Sequence, residues 1–394
     1  MRWLHHDPKN REEAAQRGIL MQRIDNWWRA FAAQRPKLEA LFAGQGDEWD
    51  LPAWMHEHLQ SIDDNLMWEF GPGCQGHGLR LVITPEGERW LRPMLRTLLA
   101  RATKVAGWEF YAFRVPEDED AARMTVEGRT GICLEDVQVE AQLGEGRKVN
   151  LRYHISNLDD LIEEEARTAA FVATETLLGE EILDHWIGEI DVTQVPGKGR
   201  LLSLDRLKAT VDALISSLLD QIPVEPTWRY IEDCEWSGFE LHPEEEDDYP
   251  GREDIFVAIS GRPDVFEGAH GGGVFSSGCL SRSCETFCYL KLDGSQGLGN
   301  SRFNDRAEME EALTAALVQA QLGCCIGGGT GLRYSYIDLA LTDVSKGLEV
   351  IRGVLIPAGI PKRAWLQFFD ADLVHEWVGI HPDAPEPPFA EPEE

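Results

Sequence analysis

Gly327-Gly328-Gly329-Thr330-Gly331 is the densest glycine cluster in the chain. Glycines let backbone N–H groups converge on an anion, and they also supply the positive φ of a tight turn. A phosphate-binding loop would add Lys-Ser/Thr, or the GxGxxG register ahead of a helix. Neither occurs here. The flanking residues 322–326 and 333–341 read as strands, so the cluster is expected to be a hairpin turn. If that turn also meets a ligand or partner, Gly328, Gly329 and Thr330 would offer backbone, and Arg333, Tyr334 and Tyr336 would line the contact. Asp338 shares the alternating face of Tyr334 and Tyr336.

Other candidate chemistry is incomplete. His270-Gly271-Gly272-Gly273 matches the oxyanion-hole string of lipases, but no GxSxG elbow accompanies it. Cys279, Cys284 or Cys288 near His270 in sequence does not make a Cys–His pair. The eight cysteines include Cys324-Cys325 but no CxxC knuckle, so free thiols are expected, with no metal and no cofactor. His56-Glu57-His58 places two histidines on opposite sides of a helix, unlike HExxH. Glu117–Asp120, Glu163–Glu165 and Glu244–Asp248 lack the alternating pattern of a calcium loop and read as solvated surface. No catalytic residue is assigned, and the reading leans away from an enzyme.

The elements that would position these residues follow from periodicity. Leu20, Ile24, Trp27, Trp28 and Phe31 make one stripe of an N-terminal amphipathic helix over 11–34, ended by Pro36. The stripe is expected to dock on the protein body. A helix over 51–62, strands over 66–70 and 79–84, a helix around 91–102 and a strand over 108–114 come next. Strands near 131–143 and 147–155, a helix over 158–178, a strand over 186–192 and a helix over 204–218 complete this half. Trp108, Trp186 and Trp365 are expected in strands and core, Trp3 and Trp49 exposed. After the prolines of 221–227 come strands near 228–235 and 252–260 and a Gly-rich connection over 263–278. Then strand 284–292, helix 305–320, strand 322–326, strand 333–341, helix 343–356 and strand 363–369 give βαββαβ, the ferredoxin-like order. Residues 374–380 are an edge-strand candidate.

The expected fold class is therefore α+β with two modules, the C-terminal one a ferredoxin-like βαββαβ sandwich. The expected organisation is an N-terminal helical segment over 1–45, modules over 46–222 and 223–381, and a flexible tail over 382–394.

Several stretches resemble a family of uncharacterised bacterial proteins. They are Trp68-Glu69-Phe70-Gly71-Pro72, LVITPEG at 81–87, GWEFYAFRVP at 107–116, ETLLGEE at 175–181, IGEID at 187–191, GGGTGLRYSYIDLALTD at 327–343 and LQFFDADLVHEWVGIHPD at 366–383. The resemblance implies a cytoplasmic bacterial protein of two modules and carries over no activity.

Charge narrows the function classes. The 394 residues hold 37 Lys and Arg against 69 Asp and Glu, for a net charge of −32. A nucleic-acid binder needs a basic face, and an anionic membrane repels such a chain. Met1–Asn10 holds no apolar core ahead of a cleavage site, so a cytoplasmic location is expected. A large negative field suits a protein that binds a basic partner, such as an immunity or inhibitor protein neutralising a toxin. Glu244, Glu245, Glu246, Asp247 and Asp248 are the expected acidic partner surface. The alternative is a small-molecule or enzymatic site at 327–331.

Overall fold

The computed structural model describes residues 1–7, 9–45, 49–102, 105–155, 163–195, 199–271, 273–295 and 302–389. It is a mixed α and β protein with three sheets among the described residues. The chain forms two compact units. One holds Met1–Glu140, Leu151–Asp184 and Ile190–Lys208; the other holds Ala141–Asn150, His185–Glu189 and Ala209–Glu394.

The first unit begins with α1 (Arg11–Phe42), capped by the Asn10 side chain on the N–H groups of Glu12 and Glu13. After α2 (Leu51–His58), β1 (Met67–Pro72) and β2 (Leu79–Thr84) pair antiparallel. The chain then passes through α3 (Arg92–Ala100) to β3 (Trp108–Tyr111), which lies parallel to β2. The stripe of α1 is core: Ile24, Trp27, Trp28 and Phe31 are buried together with Leu95, Leu98, Leu81 and Ile83. Phe31 sits among the rings of Trp27, Trp28, Trp108 and Phe110, with centroids 5.0–5.9 Å away.

Here the structure corrects several expectations. Pro36 does not end α1, which continues six residues further. Proline removes one helical hydrogen bond, at roughly 3 kcal/mol. Fully buried Leu38 and the hydrogen bond from Trp108 Nε1 to Glu39 (3.1 Å) hold the extra turns in place. Trp3 is buried, its Nε1 donating to Thr97 Oγ1 at 2.7 Å. An unforeseen helix, α4 (Glu119–Thr130), is capped by Asp118 and closed by Gly131 at φ 73°. It buries only Ala122 and Val126, too narrow a stripe to register in the sequence.

The strands β4 (Gln138–Leu143), β5 (Val149–His154), β6 (Ile187–Thr193) and β7 (Leu202–Ser203) form a sheet in the order β6-β5-β4-β7. The expected helix over 158–178 is observed as α5 (Glu163–Leu178); residues 158–162 lie outside the described residues. Gly179, at φ 82°, turns the chain into α6 (Glu180–Trp186). The first residue of α6, Glu180, is buried and accepts from Thr84 Oγ1 (2.5 Å), Arg92 Nη2 (2.6 Å) and the Arg114 N–H (2.9 Å). A further helix, α7 (Leu204–Asp220), buries its leucine stripe.

In the second unit the strand expected over 228–235 is instead two short 3-10 turns, and the strand β8 (Ser237–Glu240) lies beyond them. After β9 (Ile255–Ser260), α8 (Pro263–His270) occupies part of the expected Gly-rich connection; Pro263 starts it and Val265 and Phe266 anchor it. Next come β10 (Thr286–Asp293), α9 (Arg306–Ala320), β11 (Gly323–Gly331), β12 (Tyr334–Leu341), α10 (Val344–Ala358), β13 (Ala364–Phe368) and β14 (Trp377–Gly379). With β8 and β9 these strands form one sheet, β14-β13-β10-β12-β11-β9-β8, in which neighbouring strands run antiparallel. Met309, Leu313 and Leu317 of α9 and Leu348, Ile351 and Leu355 of α10 pack on the Leu290, Ile337 and Leu366 face. The start of the expected loose tail is packed: Trp365 Nε1 donates to the Pro385 carbonyl at 2.6 Å.

If α1 is part of the core, Phe31→Ala lowers the unfolding free energy by about 3–5 kcal/mol. Urea unfolding followed by tryptophan fluorescence reads this. A loss below about 1 kcal/mol would mean that α1 is an appendage.

Candidate functional site

The glycine cluster is not a turn. Gly327–Gly331 lies inside β11, which pairs with β12 on one side and β9 on the other. The turn is only Leu332 and Arg333. Close approach, not positive φ, explains the glycines. A Cβ at Gly331 would coincide with the Asp254 carboxylate, and one at Gly328 would lie 2.7 Å from Glu310 Oε1.

Asp254 fills the space that Gly331 leaves. It is fully buried; its Oδ2 accepts the N–H groups of Arg333 and Tyr334, both at 2.8 Å. Its Oδ1 accepts the Tyr336 hydroxyl, and its backbone carbonyl accepts the Leu332 N–H at 3.0 Å. A carboxylate removed from water needs such donors. The Asp254 side chain thus ties the β11–β12 turn to the start of β9.

The same sheet face carries more buried charge. Arg252 forms a bidentate pair with Asp338, and its guanidinium lies 5.0–5.4 Å from the ring centroids of Tyr289, Tyr336 and Phe369. This places Asp338 on the face of Tyr334 and Tyr336, as the alternation predicts. Lys291 is fully buried, with Nζ donating to the Tyr249 carbonyl and 4.1 Å from the Tyr334 ring centroid. Burial pushes the Lys291 ammonium down to about 8, against the pull of Asp254 and Asp248.

Of the residues singled out in the sequence, Arg333, Tyr334 and Tyr336 come together with this network. Tyr334 and Tyr336 are buried, and Arg333 reaches the Asp247 carbonyl (3.0 Å), Asp248 (3.6 Å) and Asp293 (3.4 Å). Gly328 and Gly329 are buried in the sheet, while Thr330 is exposed and accepts from Arg306 Nη1 at 3.0 Å. Beside it, burial raises the Glu310 carboxyl to about 7 even though Arg306 pairs with it at 2.8 Å.

The acidic run divides in two. Glu244, Glu245, Glu246 and Asp247 are exposed. Asp248 is not a solvated acid: it accepts from the Tyr334 hydroxyl (2.5 Å) and Arg363 Nη2 (2.9 Å). Burial works to raise its carboxyl, but Tyr334, the Tyr249 N–H, Arg333 and Arg363 outweigh that and hold it below the usual range. Buried Tyr249 returns its hydroxyl to the Glu246 N–H at 2.8 Å. Glu117, also expected to be solvated, pairs with Arg80.

Asp254, Arg252, Lys291, Asp293 and Arg363 went unremarked in the sequence. Arg252 and Asp254 fall in the charged run 252–254 and Arg363 follows Lys362, while Lys291 and Asp293 stand singly; the alternation Tyr289-Lys291-Asp293 on β10 was the available signal. His270 ends α8, stacked on Phe266 at 4.1 Å and bonded through Nδ1 to its carbonyl at 2.9 Å. Cys279 is buried, which pushes its thiol up to about 11 and leaves it a poor nucleophile. All eight cysteines are free thiols, and among the described residues no group of three His, Cys, Asp or Glu side chains could hold a metal ion.

Asp254→Ala leaves three donors unmatched and lowers stability by at least about 3 kcal/mol, with Asp254→Asn losing less; urea midpoints order the two variants. Lys291 supplies a pH signature. Its folded pKa lies below its unfolded value of 10.5, so the unfolded chain binds more protons between about pH 8 and pH 10.5. Stability relative to Lys291→Met therefore rises with pH across that window and is lowest below it. Parallel pH–stability curves for the two proteins would remove the buried-ammonium assignment.

Compared with known proteins, the chain matches no protein-family model, no curated protein and no solved structure.

Proposed function

We propose that this chain is a binding protein for a basic protein partner, acting as an inhibitor or immunity protein would. The observation that carries this is a braced acidic tip. Glu244–Asp247 stand exposed, while Asp248 and Tyr249 at their base are fixed by Tyr334, Arg333, Arg363 and Lys291. Fixing a charged loop before binding lowers the ordering cost of association. Apolar area lies nearby on the same strand pair: the Leu241 N–H bonds to the Phe256 carbonyl, and Phe256 is 40% exposed. The net charge of −32 supplies long-range steering.

The rival reading, a ligand at Gly328, Gly329 and Thr330, gains less. The space that those glycines leave is taken by Glu310, Ile255 and the neighbouring backbone.

The framework belongs to the same proposal. We read β10-α9-β11-β12-α10-β13 as a ferredoxin-like unit, supported by the order β13-β10-β12-β11 with both helices on one face. The two-module layout and a cytoplasmic location are part of this reading. Among the described residues, no helix is long and apolar enough to cross a membrane.

The test is capture from native cells at low and at physiological salt. A cationic protein should be retained, with association slowing as salt rises. Glu244→Gln, Glu245→Gln, Glu246→Gln and Asp247→Asn combined should slow association about ten-fold and change dissociation little. Retention of no cationic protein, or full-speed association by the amide variant, would end the proposal.

A further inference from the structure

The first unit contains a cleft of about 240 Å³ whose walls are charged. That is below the ~300–1,000 Å³ of sites for drug-sized ligands, so it suits a smaller molecule. Its floor is a sheet face: Glu69 and Gly71 on β1 and Arg80 on β2, where Gly71 and Arg80 are register partners. Gly71 leaves room for the Arg80 guanidinium, whose carbon lies 2.7 Å from where a Cβ would stand. Arg114, Glu117, Glu175 and, from α4, Arg129 complete the charged lining.

The guanidinium groups are held but not saturated. Arg80, 6% exposed, pairs with Glu69 (3.1 Å) and Glu117 and donates to the Pro72 carbonyl (3.2 Å). Arg114 pairs with Glu175 (2.8 Å) and Glu86. Among the described residues, the buried Nε atoms of Arg80 and Arg114 have no hydrogen-bond partner. Both atoms are closed to solvent, and Arg114 Nε faces Glu69 at 3.7 Å, so it is Arg129 that offers open donors to the cleft. Arg129, with a half-exposed side chain, reaches Glu175 only at the long distance of 3.4 Å.

Charge balance selects the ligand. Three arginines face three glutamates along the lining, so the walls are neutral as a set. A bare anion would meet those glutamates, and a bare cation those arginines. A small molecule carrying both charges satisfies the donors without leaving an excess of either sign.

We propose that this cleft binds a zwitterion of the α-amino-acid class. Arg129 takes its carboxylate, and Glu69 and Glu117 take its ammonium. This site is independent of the acidic tip and of any protein partner.

The experiment is isothermal titration of the full chain with glycine, L-serine, L-glutamate and L-lysine, beside acetate and ethylammonium as single-charge controls. At least one amino acid should bind saturably at millimolar concentration or below, and each control about ten-fold more weakly or not at all. Arg129→Met should weaken that binding about ten-fold while the thermal midpoint of the free protein stays unchanged, since this side chain is half exposed. Glu69→Gln should weaken the amino acid and leave residual acetate binding unaffected. Absence of binding by all four amino acids, acetate binding as tightly as they do, or an unaltered affinity in Arg129→Met would each overturn the proposal.

Discussion

A buried carboxylate with no water to solvate it must be met by donors at fixed positions, and Asp254 imposes that condition on the second unit. Its two oxygens take the N–H groups of Arg333 and Tyr334 and the hydroxyl of Tyr336. The demand propagates. Residue 331 must be glycine, because the carboxylate occupies the volume of a side chain. The β11–β12 turn is then tied to the segment leading into β9. Tyr334 is held where its hydroxyl meets Asp248, which sets the base of the acidic tip.

The seven-stranded sheet therefore has unlike faces. One is aliphatic and packed under α9 and α10. The other is aromatic and charged, with Arg252–Asp338 and Lys291 among tyrosine rings. Buried ion pairs are a poor source of net stability, since desolvation offsets much of the attraction. What they contribute here is position: each charge has one arrangement of partners, and a slipped register would strand it. Glu180 has the corresponding role in the first unit. It joins β2, α3 and the Arg114 backbone through three hydrogen bonds.

Long periodic elements were legible from the sequence. The stripe of α1 and those of α7, α9 and α10 bury most of the residues that their spacing selects, because a 3.6-residue period leaves one reading of which face turns inward. The strand and helix order over 284–369 followed from the same alternation. The mixed α and β class, and the sharing of one face by Tyr334, Tyr336 and Asp338, were determined at that level.

Other features depend on residues far apart in the chain, which local pattern does not encode. Gly327–Gly331 has the composition of a turn, yet β9 on one side makes it an inner strand. Pro36 stays inside α1 because Leu38 and Glu39 find partners in the core and on Trp108. Asp248 reads as one acid among five until Arg363, 115 residues away, is placed beside it. Glu69, Arg80, Arg114 and Glu175 look like ordinary surface charges in sequence. Composition determined the net charge of the protein, and periodicity determined most of its helices and strands. Which charges are buried, and what each one touches, was decided only when the tertiary structure removed water from them.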